Sequence, residues 1–253
     1  MNSKLFLAAA VAVLVSTGGA YAKPDANQMA AVADKGRPEA DSKRDADRKP
    51  AEMLEIAGVK QGQTVVDLIP GGGYFTRIFS KAVGPKGTVY AVGGPARPVD
   101  PSKPAPPPAG PDAIAADPNY SNVKSIHAPL AGGLSVPTPA DVVFTAQNYH
   151  DVNHVAGIDM LKFDKSVYDA LKPGGVFFVL DHAAGANAAP DPEDKLHRIE
   201  PSIVRKQVEA AGFKFESESK LLANATDDHT KTVFDPAVRG HTDQFIYKFR
   251  KPK

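Results

Sequence analysis

The sequence predicts an α/β domain in which a largely parallel sheet is flanked by helices. Short apolar runs that suit buried strands alternate with segments of helical spacing. The run at 64–69 leads through a glycine turn into a predicted helix at 74–83, where Phe75, Ile78 and Phe79 recur at helical spacing. A second apolar strand is predicted at 176–181, directly after a Pro-Gly-Gly turn that ends a helix.

The remaining elements follow from the same two periodicities. Further strands are predicted where short apolar runs or strict alternation occur, at 88–92, 123–128, 141–146, 213–222 and 244–249. Further helices are predicted where apolar residues recur between proline or glycine signals, at 50–57, 157–171 and 201–211. The sequence shows no internal repeat.

Asp67, Gly71 and Gly73 form an Asp-x-x-x-Gly-x-Gly pattern at the end of the first strand. Glycines after a strand allow a ligand to approach the backbone closely. Together with the Leu-Lys-Pro-Gly-Gly segment at 171–175, this pattern resembles class I S-adenosylmethionine-dependent methyltransferases. The resemblance runs from about Lys49 onwards. It is closest to exported bacterial methyltransferase-like proteins that carry a Pro-Gly-Gly-Gly-Tyr turn.

This resemblance implies a fold, a cofactor and a binding site. The implied fold is a Rossmann-like sheet of seven strands, with an antiparallel seventh strand inserted between the fifth and sixth. The implied cofactor is S-adenosylmethionine. Its implied binding residues lie at the end of the first strand: Asp67, Gly71, Gly72, Gly73 and Tyr74.

The chain departs from the family pattern at three places. Ile69 stands where glycine is common in the family. No acidic residue ends the second strand, which reads Ala-Val-Gly-Gly at 91–94, and none follows the third strand at 126–129. The family uses those acids beside the ribose and the adenine, and each lost hydrogen bond costs about 1–3 kcal/mol.

Four residues after the fourth and fifth strands are the predicted catalytic groups. His150, flanked by Asn148 and Tyr149, is the first candidate for a general base, because imidazole accepts a proton near neutral pH. His182 is the second, with Asp181 as its partner. The alternative for His150 is a structural histidine that caps the following loop.

The sequence gives less support for a functional role of three further polar groups. Arg198 is expected either to bind an anionic substrate group or to form a surface ion pair with Glu200 or Glu193. The Asp-Asp-His group at 227–229 and the His-x-Asp group at 241–243 match no metal signature. No metal site is therefore predicted.

The N-terminus predicts export. Lys4, an apolar run at 5–15 and an Ala-Tyr-Ala ending indicate a signal peptide at 1–22, cleaved after Ala22. The expected location is the periplasm or the exterior, with no stable membrane span after cleavage. A polar leader with a helix follows at 23–49, and the methyltransferase-like domain occupies 50–253. Its proline-rich stretch at 93–118 is expected to be an irregular surface loop, which either covers the crevice or does not touch it.

Composition limits the possible partners. The formal charge is +1 and no basic stretch is interleaved with aromatic residues, so no nucleic acid is expected. The absence of cysteine excludes disulfides and thiolate chemistry. The expected partner is a small-molecule methyl acceptor, and the oligomeric state is left open. Alternatives are a non-catalytic exported binding protein with the same fold, and a nicotinamide-dependent enzyme, whose Gly-x-Gly-x-x-Gly spacing is missing.

Overall fold

A seven-stranded sheet forms the centre of the protein. The computed structural model describes residues 22–95, 107–186, 188 and 191–253. The strand order is β3-β2-β1-β4-β5-β7-β6. Strand β7 runs antiparallel to both of its neighbours, whereas the other pairs are parallel. The predicted sheet, including the inserted antiparallel strand, is confirmed.

The strands agree with the predicted ones to within a few residues, and all seven predicted strands are present. Their bounds are β1 Thr64–Leu68, β2 Thr88–Gly93, β3 Val123–His127, β4 Ala140–Ala146, β5 Leu171–His182, β6 Lys214–Ser219 and β7 Gln244–Arg250. Strand β5 begins earlier than predicted, because Leu171 already pairs with Ala140 before the Pro-Gly-Gly turn.

Helices cover both faces of the sheet, since successive strand residues point to opposite sides. Val65 and Phe178 pack with α1, α4, α5 and α6 on one face, whereas Val66 and Phe177 pack with α7, α8 and α10 on the other. The helices are α1 Ala26–Val32, α2 Glu39–Ser42, α3 Asp45–Arg48, α4 Pro50–Ala57, α5 Tyr74–Val83, α6 Pro111–Ala116, α7 Tyr149–His154, α8 Met160–Ala170, α9 Pro192–Leu196 and α10 Pro201–Ala210.

The segment before the domain is folded onto it from Ala26 onwards. Asp25 and Gln28 form a capping box at the start of α1, and the Gln28 side chain also donates to the Val59 carbonyl. Arg37 forms a paired contact with Asp45 and is almost fully buried. Residues expected to form a polar leader therefore build one wall of the molecule.

The proline-rich stretch is not irregular throughout, which corrects the sequence-based expectation. Residues 96–106 lie outside the described residues. Beyond them, Pro111 begins helix α6, because its fixed φ and missing N–H suit the first turn of a helix. Ile114 of α6 packs against Gly73, so the described part of this stretch contacts the glycine turn.

The predicted signal peptide falls almost wholly on residues 1–21, outside the described residues. No helix in the described ranges combines the length and the apolar character needed to cross a membrane.

Candidate functional site

A crevice of about 200 Å³ opens at the carboxyl ends of β1 and β4. Ligands in open α/β sheets bind at this edge, where the strand order reverses. The lining combines the glycine turn, the loop after β4 and the segment before α4: Asp41, Arg44, Arg48, Asp67, Ile69, Pro70, Gly71, Gly72, Tyr74, Phe75, Ala146, Gln147 and Asn148.

The turn after β1 departs from ordinary backbone conformations. Gly71 and Gly73 have φ of 55° and 81°, which glycine adopts without strain. Ile69 has φ of 57°, a conformation that costs a β-branched residue of the order of 1–3 kcal/mol. The structure thus explains why glycine suits position 69, and shows that this chain tolerates strain there.

Asp67 lies beneath this turn as a buried carboxylate. The Thr76 hydroxyl donates to its Oδ2 over 2.6 Å. Burial raises the pKa of Asp67 to about 6, although the Thr76 hydrogen bond and the charge of Arg48 oppose that rise. A carboxylate so placed can hold a cationic group of a ligand in the crevice.

Arg48 is the principal cation of the crevice, and the sequence did not point to it. Its guanidinium lies over the rings of Tyr74 and Phe75, 4.4 and 4.9 Å from their centroids. Burial, followed by the charge of Arg44, lowers the pKa of Arg48 to about 10. Its buried Nε has no hydrogen-bond partner within the described structure, so the side chain keeps a free donor.

Asn148 joins the two loops that form the crevice. Its side-chain amide donates to the carbonyl of Ile69 over 3.0 Å and to that of Ala146 over 2.6 Å. Both amide protons are therefore used by the backbone. The structure places Asn148 in the crevice lining, but in a position that holds the turn after β1 against the loop after β4.

The two predicted site tyrosines occupy different environments. Tyr74 lines the crevice with its ring, and its hydroxyl donates to Asp45 over 2.6 Å. Burial, and then this hydrogen bond to Asp45, raise the pKa of Tyr74. Tyr149 differs from the expectation that it faces the acceptor. It begins α7 and points into the core, where its hydroxyl donates to Asp164 over 2.8 Å. The helical start at Asn148 turns residue 149 away from the crevice.

A second cavity of about 500 Å³ adjoins the first and shares Arg44, Arg48 and Gln147 with it. The rest of its lining combines apolar walls with a few charged groups: Asp47, Leu180, His182, Leu222, Val233, Phe234, Arg239, Gly240 and Gln244. Within the described residues, neither Arg44 nor Arg239 has a carboxylate at ion-pair distance. The second cavity therefore carries an excess of positive charge.

His182 faces this second cavity. Its Nδ1 lies 2.7 Å from the Thr242 hydroxyl. Burial lowers the pKa of His182 to about 4, so the ring is uncharged at neutral pH. An uncharged imidazole can accept a hydrogen bond from the protonated nucleophile of a bound small molecule.

His150 lies outside the lining of both cavities, although its ring centroid is 6.1 Å from that of His182. Its Nδ1 is 2.8 Å from Asp181 Oδ1, and its Nε2 is 3.3 Å from Asp151 Oδ1. Burial opposes protonation, but the two carboxylates outweigh it and raise the pKa of His150 to about 10. Asp181 thus partners His150, whereas the sequence predicted it as the partner of His182.

Arg198 corrects a further expectation. It is fully buried and forms a paired contact with Asp227, with Nη1 2.8 Å from Oδ2. Asp227 also accepts hydrogen bonds from the backbone of His229 and Asp243. Arg198 is therefore neither a surface ion pair with Glu200 or Glu193 nor a substrate contact, but anchors the loop before β7.

Comparison with solved structures identifies the fold. A SAM-dependent methyltransferase from Aquifex aeolicus matches with a TM-score of 0.56 and 19% identity, over 84% of this chain and 95% of that chain. A putative sarcosine dimethylglycine methyltransferase from Galdieria sulphuraria matches with a TM-score of 0.56 and 15% identity, over 82% and 85%. An S-adenosylmethionine-dependent methyltransferase from Mesorhizobium loti matches with 0.54 and 16%, over 82% and 99%.

The chain has the Rossmann-like methyltransferase fold. No protein-family model matches the sequence, and no curated protein matches it. At these identities the structural likeness establishes the fold, and the chemistry has to be argued from the residues of this chain.

The arginines are the site residues that sequence reasoning missed. Arg44 and Arg48 come from the supposed leader, and Arg239 comes from the loop before β7. A signal was present for two of them, since Arg44 and Arg48 are four residues apart just before a predicted helix. The direction in which the Arg44 and Arg48 side chains point depends on how their segment packs on Tyr74. No local sequence pattern shows that packing.

Proposed function

We propose that the protein transfers a methyl group from S-adenosylmethionine to a small-molecule acceptor. The observation that carries this proposal is the pair of adjoining cavities, one at the glycine turn and one beside His182. Methyl transfer requires a donor and an acceptor held in line, and little other chemistry from the protein. Two cavities that share Arg44, Arg48 and Gln147 suit that requirement.

The first cavity fits the amino-acid end of the cofactor. Asp67 offers a carboxylate for an ammonium group, and the guanidinium of Arg48 offers positive charge for a carboxylate. A Cβ at Gly71 or Gly72 would meet no atom within 4 Å, so the backbone there is open to a ligand. When bound, S-adenosylmethionine supplies an electrophilic methyl group on its sulfonium.

The second cavity suits an acceptor that carries both an apolar body and an anionic group. Leu180, Leu222 and Phe234 provide apolar walls, while Arg239 provides a cation without a carboxylate partner in the described structure. The uncharged ring of His182 in the cavity lining supports a role for it in accepting a hydrogen bond from the nucleophile of the methyl acceptor. We infer that His182, rather than His150, contacts the acceptor.

Calorimetric titration of the purified protein with S-adenosylmethionine and S-adenosylhomocysteine tests the proposal. Micromolar binding, about −8 kcal/mol, that is lost in Asp67→Asn supports it. Asp169→Asn, an exposed carboxylate on α8, is the matched control and should leave binding unchanged. Absence of binding at millimolar ligand contradicts the proposal and favours a non-catalytic binding protein. Export of the chain stays a prediction, which the N-terminal residue of the mature protein tests.

A further inference from the structure

His150, Asp151 and His197 bring three potential metal-ligand atoms together outside both cavities. Nε2 of His150, a carboxylate oxygen of Asp151 and Nδ1 of His197 all lie within 4.8 Å of one another. The first two residues are on α7, and His197 follows α9. The sequence separates His197 from the others by more than forty residues, so only the fold assembles this group.

The spacing of the three atoms is long for hydrogen bonds and matches the separation of ligand atoms around a shared ion. The Asp151 oxygen lies 3.3 Å from His150 Nε2 and 3.6 Å from His197 Nδ1. An N–H···O hydrogen bond spans about 2.7–3.2 Å. Ligand atoms that each bind one zinc-sized ion at about 2.1 Å in tetrahedral geometry are about 3.4 Å apart.

The opposite nitrogen of His150 is already oriented. Asp181 Oδ1 lies 2.8 Å from His150 Nδ1, and the backbone N–H of His150 donates to Asp181 Oδ2 over the same distance. Metal-binding histidines characteristically donate their second ring N–H to a carboxylate, which orients the ring, and a bound ion displaces the proton from the other nitrogen. Asp181 is fully buried, so this orientation is held rigidly.

The turn that presents His197 is held in an unusual conformation. His197 has φ of 54°, in the left-handed region that non-glycine residues seldom adopt. Its ring packs edge-on against Phe234, with centroids 4.8 Å apart, and lies 5.5 Å from the His150 ring. The structure thus keeps the imidazole pointing towards α7 at a backbone cost.

We propose that His150, Asp151 and His197 bind one divalent transition-metal ion of the zinc type, with Asp181 as the positioning carboxylate. Two imidazoles and one carboxylate favour such an ion over magnesium or calcium, which prefer oxygen ligands. Asp151 and His197 are partly exposed, so an ion can enter from solvent and retain a coordination position for water. The ion would link α7 to the turn before α10, next to the Phe234 wall of the second cavity.

The test is metal binding by the chelator-treated, dialysed protein, without any cofactor or acceptor. Zn²⁺ titrated by calorimetry should bind with one-to-one stoichiometry, and Co²⁺ should give visible d–d absorption. Asp151→Asn and His197→Ala should each weaken Zn²⁺ binding at least tenfold, and Zn²⁺ should raise the melting temperature of the wild type but not of these variants. Because both side chains are partly exposed, their replacement is expected to leave the fold intact, which circular dichroism checks.

His154→Ala is the matched control. His154 lies one helical turn after His150 and pairs with Asp194 in an exposed position, so its loss should leave Zn²⁺ affinity unchanged. The proposed metal site would be overturned if Zn²⁺ gave no heat of binding and Co²⁺ gave no d–d absorption. Binding that survives in Asp151→Asn and His197→Ala, or that disappears in His154→Ala, would overturn the assignment of ligands. None of these outcomes depends on methyl transfer, so a failure here is distinct from a failure of the proposed function.

Discussion

The hydroxyl of Thr76 donates a 2.6 Å hydrogen bond to the buried carboxylate of Asp67. Thr76 lies in the first turn of α5 and Asp67 near the end of β1, so this bond couples the two elements that flank the glycine turn. It also favours the ionised form of a carboxyl group whose pKa burial raises to about 6. The charge state of the crevice therefore changes within an accessible pH range.

Affinity for S-adenosylmethionine should increase with pH through about 6. Asp67 holds the cationic amino group only when it is ionised, so the dissociation constant should be lower at pH 8 than at pH 5. Calorimetry across this range measures the effect. In Thr76→Val the midpoint should move to higher pH, because the bond that favours the carboxylate is lost. A pH profile that persists unchanged in Asp67→Asn would contradict the assignment.

Gly73→Ala should destabilise the fold by about 1–3 kcal/mol. Position 73 has φ of 81°, which strains any residue with a Cβ, and an added Cβ would lie 2.1 Å from Ile114 Cδ1, so the Ile114 side chain would have to move. Gly72→Ala provides the control, because a Cβ there meets nothing within 4 Å, and the free energy of unfolding should change by less than about 0.5 kcal/mol. Urea unfolding of both variants measures the difference. Equal stability of the two variants would contradict the packing of α6 on the turn.

Asp164→Asn should stabilise the protein more at high pH than at low pH. Burial raises the pKa of Asp164 from 3.8 to about 7, although the Tyr149 hydroxyl opposes that rise. The folded chain thus binds this proton more tightly than the unfolded chain, so the stability it contributes is complete below about pH 4 and is lost as pH rises towards 7. Since asparagine stays uncharged, the variant's advantage should grow by up to about 4 kcal/mol between pH 4 and pH 8.

Urea unfolding of the Asp164→Asn variant and of the wild type at pH 4 and pH 8 measures the difference in their free energies of unfolding at each pH. Asp169→Asn, on the same helix but exposed and paired with Lys165, should differ from the wild type by less than about 0.5 kcal/mol at both pH values. A constant difference between Asp164→Asn and the wild type would show that the buried carboxyl does not titrate in this range.

The second cavity should prefer a carboxylate to a neutral amide of the same shape. We expect 4-hydroxybenzoate to bind about tenfold more tightly than 4-hydroxybenzamide, a difference of about 1.4 kcal/mol. Arg239→Gln should abolish most of that preference. Arg205→Gln is the control, because Arg205 lies on α10 outside the cavity lining, where it pairs with Glu209. Ligand-observed NMR titration of the two probes against the wild type and both variants measures all six affinities. Equal binding of the two probes to the wild type would exclude an anionic acceptor at Arg239.

The sheet and the glycine turn could be predicted from the sequence because their signals are local. Strand β1, the turn and α5 are contiguous, and the period of their apolar residues changes at the glycines themselves. The site depends on contacts across the sequence. Arg48 reaches the crevice through the packing of its segment on Tyr74, and His197 meets His150 because α9 lies beside α7. No periodicity encodes either contact.

Tyr149 shows a different limit of sequence reasoning. The sequence placed it beside His150 as a predicted catalytic residue, but a helix begins after Asn148, and successive helical residues point about 100° apart. Tyr149 consequently enters the core beside Asp164, whereas the loop before it reaches the crevice. A short helix of six residues carries too few apolar positions to be recognised beforehand.

The insertion of β7 between β5 and β6 imposes an order on the assembly of the sheet during synthesis. Within the described sheet, β6 has β7 as its only neighbour, yet β7 is made about twenty-five residues later, after the loop that Arg198 and Asp227 anchor. A nascent chain that ends before Gln244 therefore has an unfinished edge at β5 and an unattached β6. A ribosome that has translated this chain as far as residue 243 still holds a protein whose sheet stops at its fifth strand.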